Sequence, residues 1–128
     1  MTFNRFTYCH DLLRLFGLQN VFANRKRRHP LAADLGVEPA EDVDGIDTRY
    51  PRIGLDELRG EQIDIILLPD EPFKFDETHR RLLKDLLGET AAVKNERVLL
   101  VDGSLITWHG TRLAFALREL PALLELQL

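Results

Sequence analysis

Residues 63–69 read IDIILLP, and the six residues that follow read DEPFKF. The first stretch is a run of β-branched and other apolar residues with one interruption, Asp64, which is typical of a strand buried in a parallel sheet. Pro69 and Pro72 restrict the backbone of the next stretch, which displays two phenyl rings and a carboxylate. We therefore predict a strand over residues 63–69, followed by a rigid loop.

Capping and turn signals place further elements downstream of this strand. Asp76 is an N-cap for a helix with a leucine face that ends at Gly88. A second apolar run predicts a strand at Val98–Val101, and Asp102-Gly103 after it is a turn signal. The last helix is predicted to be broken or restarted at Pro121.

Upstream of residue 63 the clearest element is a helix over Tyr8–Phe16, with Thr7 as its N-cap and Gly17 after its end. Asn20–Ala23 is either a brief strand or an extended packing segment, and Leu55–Arg59 is a short helix. The order helix, strand, helix, strand, helix predicts an α/β domain with a small parallel sheet flanked by helices.

Composition limits the class of protein. The 128 residues, 45% apolar and 30% charged, fit a single globular domain spanning residues 1–128. The longest apolar run, Ile65–Pro69, is far shorter than the ~20 residues that cross a bilayer, so we expect neither membrane insertion nor a signal peptide in residues 1–128. A single cysteine, Cys9, forms no internal disulfide.

The segment from about 25 to 49 breaks the periodic pattern. A basic run at residues 25–28, RKRR, precedes an acidic stretch, which predicts a charged, solvated loop or insertion. Leu31–Leu35 has the length of one helical turn. The net charge of −4 and the lack of aromatics within the basic run argue against nucleic acid as a partner.

Ligands of open α/β sheets collect where the strands end, so the loops after Leu68 and Val101 are expected to form one rim. The second of these loops, residues 104–112, reads SLITWHGTR. Its aromatic and cationic residues, with the phenyl rings and carboxylate of the first loop, predict a binding face for a large, partly apolar ligand rather than a catalytic centre.

Sequence signals for catalysis and for a protein metal site are lacking. The chain has neither a glycine-rich phosphate loop nor a Gly-x-Ser-x-Gly motif, so we predict that it is not an enzyme and has no catalytic residues. His109 has no second ligand at metal-binding spacing, which argues against direct coordination of a metal by the protein. His10 and His79 are predicted to be surface or capping residues on helices.

Several motifs together resemble one family, the helical-backbone metal receptors, and specifically their C-terminal lobe. The matching residues are Arg49-Tyr50-Pro51, Leu55-Asp56-Glu57-Leu58, Leu67 to Phe75, His79, Val101-Asp102-Gly103 and Trp108-His109-Gly110-Thr111-Arg112. These receptors are substrate-binding proteins of ABC importers for cobalamin and ferric siderophores. The resemblance implies a Rossmann-like, three-layer lobe of a periplasmic-binding-protein fold, a periplasmic or otherwise extracytoplasmic location, and an ABC permease as partner. Because no signal peptide is found, a cytoplasmic location stays open.

The chain departs from the family pattern in three ways. On this resemblance, we expect residues 1–128 to contain no counterpart of the N-terminal lobe, the connecting helix and the first strand of the C-terminal lobe. His109 stands where the family commonly has tyrosine or another aromatic residue. Residues 26 to 48 form an insertion where relatives pass quickly to the Tyr-Pro motif.

The resemblance and the rim together predict the site residues. Trp108 and the pair Phe73 and Phe75 would pack on a chelate, with the choice between the two phenyl rings left open. His109 and Arg112 would hydrogen-bond its periphery, the guanidinium suiting an anionic siderophore. Tyr50 would border the same pocket.

Glu71 has two predicted roles. On the rim its carboxylate would contact ligand amides or the arginines of a permease. Alternatively, it caps the following helix or pairs with Lys74.

Two functions are therefore expected. The first is noncovalent capture of cobalamin or a ferric chelate, with no covalently bound cofactor and with a second wall supplied by the absent N-terminal lobe or by another copy of the chain. The alternative is an interaction module, derived from such a lobe, that self-associates or pairs through the exposed aromatic rim.

Overall fold

A computed structural model describes residues 1–34, 36–39, 41 and 43–125. Helices precede and follow each of the two strands along the described chain, so the protein belongs to the mixed α/β class. The elements are α1 (Tyr8–Leu15), α2 (Leu31–Asp34), α3 (Leu55–Gly60), β1 (Ile66–Pro69), α4 (Glu77–Leu86), α5 (Ala91–Lys94), β2 (Val98–Val101), α6 (Gly103–Thr107) and α7 (Arg112–Leu123).

Strands β1 and β2 pair in parallel, with Ile66 opposite Val98 and Pro69 opposite Val101. This confirms a small parallel sheet. Strand β2 spans the predicted residues, whereas β1 is shorter than the predicted 63–69. Upstream of β1 the carbonyl of Ile63 accepts the Ala92 N–H at 2.9 Å, so this part of the chain bonds to α5 instead of to a strand.

The two faces of the sheet are covered by different helices. Leu67, Leu99 and Val101 point towards a core cluster contributed mainly by α1, α6 and α7. The members of that cluster from the helices and their ends are Cys9, Leu12, Leu13, Phe16, Leu105, Ile106, Ala116, Leu120 and Leu124. On the other face, Leu68 and Val98 are also buried, and α4 packs against β2. Parallel strands need this cover on both faces.

Helix α1 has the predicted caps. The Thr7 hydroxyl accepts the backbone N–H of His10 at 3.3 Å. Gly17 has a φ of 77°, a conformation that glycine adopts without strain, and its N–H donates to the carbonyl of Arg14. Because Leu12 and Leu13 are buried, the helix carries its apolar face into the core.

Two predictions about local structure are wrong. Asn20–Ala23 is a turn rather than a strand. The Asn20 side chain accepts the Phe22 N–H at 2.9 Å, and the Asn20 backbone carbonyl accepts the Ala23 N–H. Helix α7 continues through Pro121. Leu120 and Leu124 on either side of the proline are fully buried, and this packing offsets the one backbone hydrogen bond that Pro121 cannot donate.

We define residues 25–49 as the charged segment, and its described residues contain one helix, α2, and no strand. The predicted helical turn ends at Leu35, which lies outside the described residues, as does Asp42 of the acidic stretch. Asn4 is fully buried, and its amide donates to the carbonyls of Arg25 and Thr48, each at 2.9 Å. One side chain therefore holds both ends of the segment.

None of the helices within the described residues combines the length and apolar character that spanning a membrane requires.

Candidate functional site

The loops that follow β1 and β2 meet at one edge of the sheet. We call residues 69–76 and 102–112 the rim. The carboxylate of Asp70 accepts the N–H of Gly103 at 2.7 Å, and the Asp70 N–H donates to the carbonyl of Val101 at 3.2 Å. These bonds join the two loops, as the parallel arrangement of the strands predicts.

The second half of the rim begins with a helix, where the sequence predicted a turn and a loop. Asp102 is the N-cap of α6, and its carboxylate accepts the Ser104 hydroxyl at 2.6 Å and the Ser104 N–H at 2.9 Å. Donation by that hydroxyl, with smaller contributions from the Ser104 backbone and Arg112, lowers the pKa of Asp102. An Asp-Gly pair is as compatible with an N-cap as with a turn, which is why the sequence signal misled.

Gly103 lies against the first loop. A Cβ atom at this position would lie 2.8 Å from the Glu71 nitrogen and 2.9 Å from the Glu71 Cβ. Only glycine permits this approach without movement of the backbone. The contact fixes the distance between Glu71 and the start of α6.

Trp108 and Glu71 form the central contact of the rim. The indole Nε1–H donates to the Glu71 Oε2 at 2.8 Å, across 37 positions of sequence. The indole is nevertheless 55% exposed, so its polar edge is fixed while its apolar surface faces solvent. Sequence reasoning selected both residues but gave Glu71 other partners.

Phe73 and Phe75 form an aromatic cluster with His79. The two phenyl centroids are 4.8 Å apart, and the His79 ring lies 5.2 Å from Phe73 and 5.6 Å from Phe75, all edge to face. Phe73 is 54% exposed, whereas Phe75 is half-buried. Phe73 is therefore the ring available to a ligand.

His79 is a capping residue, as predicted, and also supports the rim. Its Nδ1 lies 2.8 Å from a carboxylate oxygen of Asp76, the N-cap of α4. The His79 N–H donates to the same oxygen at 3.2 Å and, with the ring, lowers the pKa of Asp76. The aromatic contacts of His79 were missed, although its spacing from Phe75 places it in the first turn of the next helix.

Arg112 is engaged within the rim. Its guanidinium donates to the Ser104 hydroxyl and, at 3.2 Å, to the Asp102 carboxylate. The same group lies over the Phe115 ring, 5.1 Å from the centroid. Arg112 thus braces the start of α7 against the start of α6.

His109 and Tyr50 lie in different surroundings. The exposed His109 ring meets Tyr8 edge to face, with centroids 4.3 Å apart, and links the rim to the start of α1. Tyr50 is also exposed, but its ring contact is with the Arg49 guanidinium at 5.7 Å. Among the contacts of the described residues, none joins Tyr50 to the rim. His10, predicted at the surface or in a cap, is buried instead.

The chemistry available at the rim is binding through aromatic surface and charge. Within the described residues, no group of three or more histidine, cysteine, aspartate or glutamate side chains is arranged to hold a metal ion. Burial raises the pKa of the Cys9 thiol to about 12, so this cysteine is not an activated nucleophile.

The chain was compared with protein-family models, with curated proteins and with solved structures, and none of the three comparisons gave a match.

Proposed function

We propose that the rim binds a metal chelate, cobalamin or a ferric siderophore, as the ligand-binding lobe of an ABC-importer substrate-binding protein. The proposal includes the finer fold, a Rossmann-like lobe of a periplasmic-binding-protein fold, and an extracytoplasmic location. Capture is noncovalent. The observation that supports it best is the exposed indole of Trp108, held in place by Glu71 at the edge where both strands end.

A fixed aromatic surface suits a large ligand with flat apolar parts. The hydrogen bond to Glu71 restricts the Trp108 side chain before a ligand arrives, so less rotational freedom is lost on binding. Stacking on an aromatic face contributes roughly 0.5 to 1.5 kcal/mol beyond the buried area. Phe73, exposed two residues after Glu71, extends the surface available for packing.

The remaining rim residues have supporting roles in this proposal. His109 is exposed beside Trp108 and hydrogen-bonds the ligand periphery. Arg112, through Asp102 and Ser104, holds the loop that carries Trp108. Since a rim covers one side of a ligand, we expect weak affinity for the chain alone and stronger affinity where a second lobe or another copy supplies the opposite wall.

Fluorescence titration tests the proposal directly, because Trp108 is the single tryptophan. Cobalamin and ferric siderophores would be added to the full chain, with N-acetyltryptophanamide as a correction for ligand absorbance. We expect saturable quenching. Equilibrium dialysis of the same ligands would supply a readout independent of fluorescence.

Two substitutions separate the rim from nonspecific apolar binding. We expect Trp108→Ala to weaken binding in dialysis by about tenfold, the equivalent of the stacking contribution. Leu15→Ala is the control. It removes an apolar side chain that is 69% exposed at the C-terminal end of α1, whereas the rim meets the N-terminal end, so it should leave binding unchanged. Equal losses in both variants, or no saturation with any chelate, would overturn the proposal.

Self-association is the outcome that would favour the alternative function. The exposed rings of Trp108 and Phe73 also suit a protein interface. Sedimentation of the ligand-free chain at increasing protein concentration would detect self-association. If the wild-type chain forms a dimer that the Trp108→Ala substitution dissociates, and no chelate binds, the rim would be assigned to protein pairing.

A further inference from the structure

The charged groups of the rim are unequal in number. Its carboxylates outnumber its permanently charged cations by four to two. The carboxylates are Asp70, Glu71, Asp76 and Asp102, and the cations are Lys74 and Arg112.

Most of these charges already have partners within the protein. Arg112 is paired with Asp102, so each neutralises the other. Asp70 accepts the Gly103 N–H and Asp76 caps α4 beside the His79 ring. The sequence predicted that Arg112 would bind an anionic ligand, but its guanidinium is already bonded to Asp102 and Ser104 and is therefore less available.

Glu71 is the carboxylate that contacts the exposed indole, and its partner carries no charge. The indole N–H of Trp108 holds the carboxylate at 2.8 Å and leaves its negative charge uncompensated. Glu71 is exposed, and Lys74, three residues further along, is exposed as well. The charge nearest to the indole is therefore negative.

The indole itself adds to this preference. The face of a tryptophan ring is the most favourable aromatic surface for a cation, and the attraction grows as water is excluded. A positive group that packs on Trp108 therefore gains from both the ring and the carboxylate. A negative group at the same place is repelled by Glu71.

We infer that the rim selects a metal chelate bearing positive charge over an otherwise identical chelate bearing negative charge. This inference rests on the proposed function and specifies the ligand class. Glu71 is the residue that determines the selectivity, and Trp108 supplies the packing surface.

A matched series of ligands isolates charge from shape. The probe is a linear ferric trihydroxamate with a terminal ammonium group, compared with its N-acetylated form, which is neutral, and its N-succinylated form, which is an anion. All three share the same ferric core. Affinities would be measured by Trp108 quenching and by dialysis of iron at low ionic strength.

The expected result is a graded preference. One unit of charge close to Glu71 should change the dissociation constant about fourfold, with the ammonium form binding tightest and the succinyl form weakest. Raising the salt concentration to about 1 M shortens the screening length to roughly 3 Å and should abolish the preference.

Glu71→Gln tests the assignment to one residue. The glutamine oxygen can still accept the Trp108 N–H, so the substitution removes charge while retaining the hydrogen bond. We expect the three ligands to bind this variant with dissociation constants within about 1.5-fold of one another. Asp64→Asn, which removes an exposed carboxylate just before β1 at the opposite end of the strand, should keep the wild-type preference.

The outcomes distinguish this inference from the proposed function. Saturable binding of all three ligands with equal affinity, or tightest binding of the anion, would overturn the inference while the proposed function stands. A preference that survives in Glu71→Gln would remove Glu71 as its source. No saturation with any of the ligands would overturn the proposed function and the inference with it.

Discussion

The rim and the charged segment, residues 25–49, are both rich in charged side chains, but they are held in different ways. Contacts across the rim join distant residues: 37 positions separate Glu71 from Trp108, and 33 separate Asp70 from Gly103. Within the charged segment, the ion pair between Asp47 and Arg49 joins near neighbours, whereas Arg25 pairs with Glu57 in α3. The segment is attached at both ends by the buried amide of Asn4.

This difference shows that charge alone does not make a site. Contacts between distant residues restrict the relative positions of the groups that they join, so the rim presents a defined surface. A contact between residues two positions apart restricts only the local backbone. The charged segment can therefore lose the local ion pair between Asp47 and Arg49 with little effect, whereas loss of the Asn4 side chain should loosen both ends of the segment.

The largest expected effect comes from Asn4→Ala. The amide of Asn4 donates to the carbonyls of Arg25 and Thr48 and accepts the N–H of Phe6. Because the side chain is fully buried, its removal leaves unsatisfied groups, and we expect a loss of about 3 kcal/mol in the free energy of unfolding. Urea denaturation would measure this loss.

Proteolysis would locate the same effect in the chain. Trypsin should cut the basic run, residues 25–28, faster in Asn4→Ala than in the wild type under conditions where both are folded. Asn24→Ala is the control, because Asn24 is exposed and makes no side-chain hydrogen bond to any part of the chain that the structure describes. Equal cleavage of both variants would contradict the role given to Asn4.

The next effect concerns the rim and comes from Gly103→Ala. The new Cβ would overlap the backbone of Glu71, which cannot move without disturbing the hydrogen bond between Asp70 and Gly103. We expect a loss of about 2 kcal/mol in stability and a changed Trp108 emission spectrum.

Gly60→Ala is the matched control. A Cβ at Gly60 meets no other atom within 4 Å, so stability and the emission spectrum should stay as in the wild type. A Gly103→Ala variant as stable as Gly60→Ala would show that the two loops are not packed as closely as described.

The sequence predicted those parts of the fold that depend on local signals. Thr7 and Asp76 are the N-caps of α1 and α4, and β2 has the predicted bounds. Local signals failed where tertiary packing decides the outcome. Helix α6 is only five residues long and is stabilised by burial of residues such as Leu105. So short a segment has no helical periodicity from which the helix could be predicted.

The sequence predicted which two loops meet at the rim but not the contacts between them. The composition of the two loops indicated Trp108, Glu71 and Phe73 as rim residues. Their pairing could not be predicted, because no sequence spacing relates residues on different loops. Tyr50 was placed with them through the resemblance, and its ring contact in the structure is with Arg49.

The smallest expected effect compares two carboxylates, Asp102 in the rim and Asp47 in the charged segment. The pKa of each is lowered in the folded protein, to about 2 for Asp47, where Arg49 is the main cause. Such a group contributes stability above its unfolded pKa of about 3.9, and that contribution is lost as the pH falls through the folded pKa.

For Asp102, we expect this linkage to be measurable. Asparagine is an equally good N-cap, so Asp102→Asn removes charge while keeping the cap of α6. Since the carboxylate is half-exposed, the loss at neutral pH should be no more than about 1 kcal/mol, and the variant and wild type should converge as the pH falls through the lowered folded pKa of Asp102.

For Asp47, no change in global stability is expected, even though its pKa is lower still. The Asp47 carboxylate is about as exposed as that of Asp102, but its partner Arg49 is only two residues away, so the unfolded chain can form the same ion pair. Stabilisation common to both states cancels. Urea denaturation of Asp47→Asn and Asp102→Asn at neutral and acidic pH checks the comparison, and an equal loss in the two variants would contradict the distinction between local and long-range contacts.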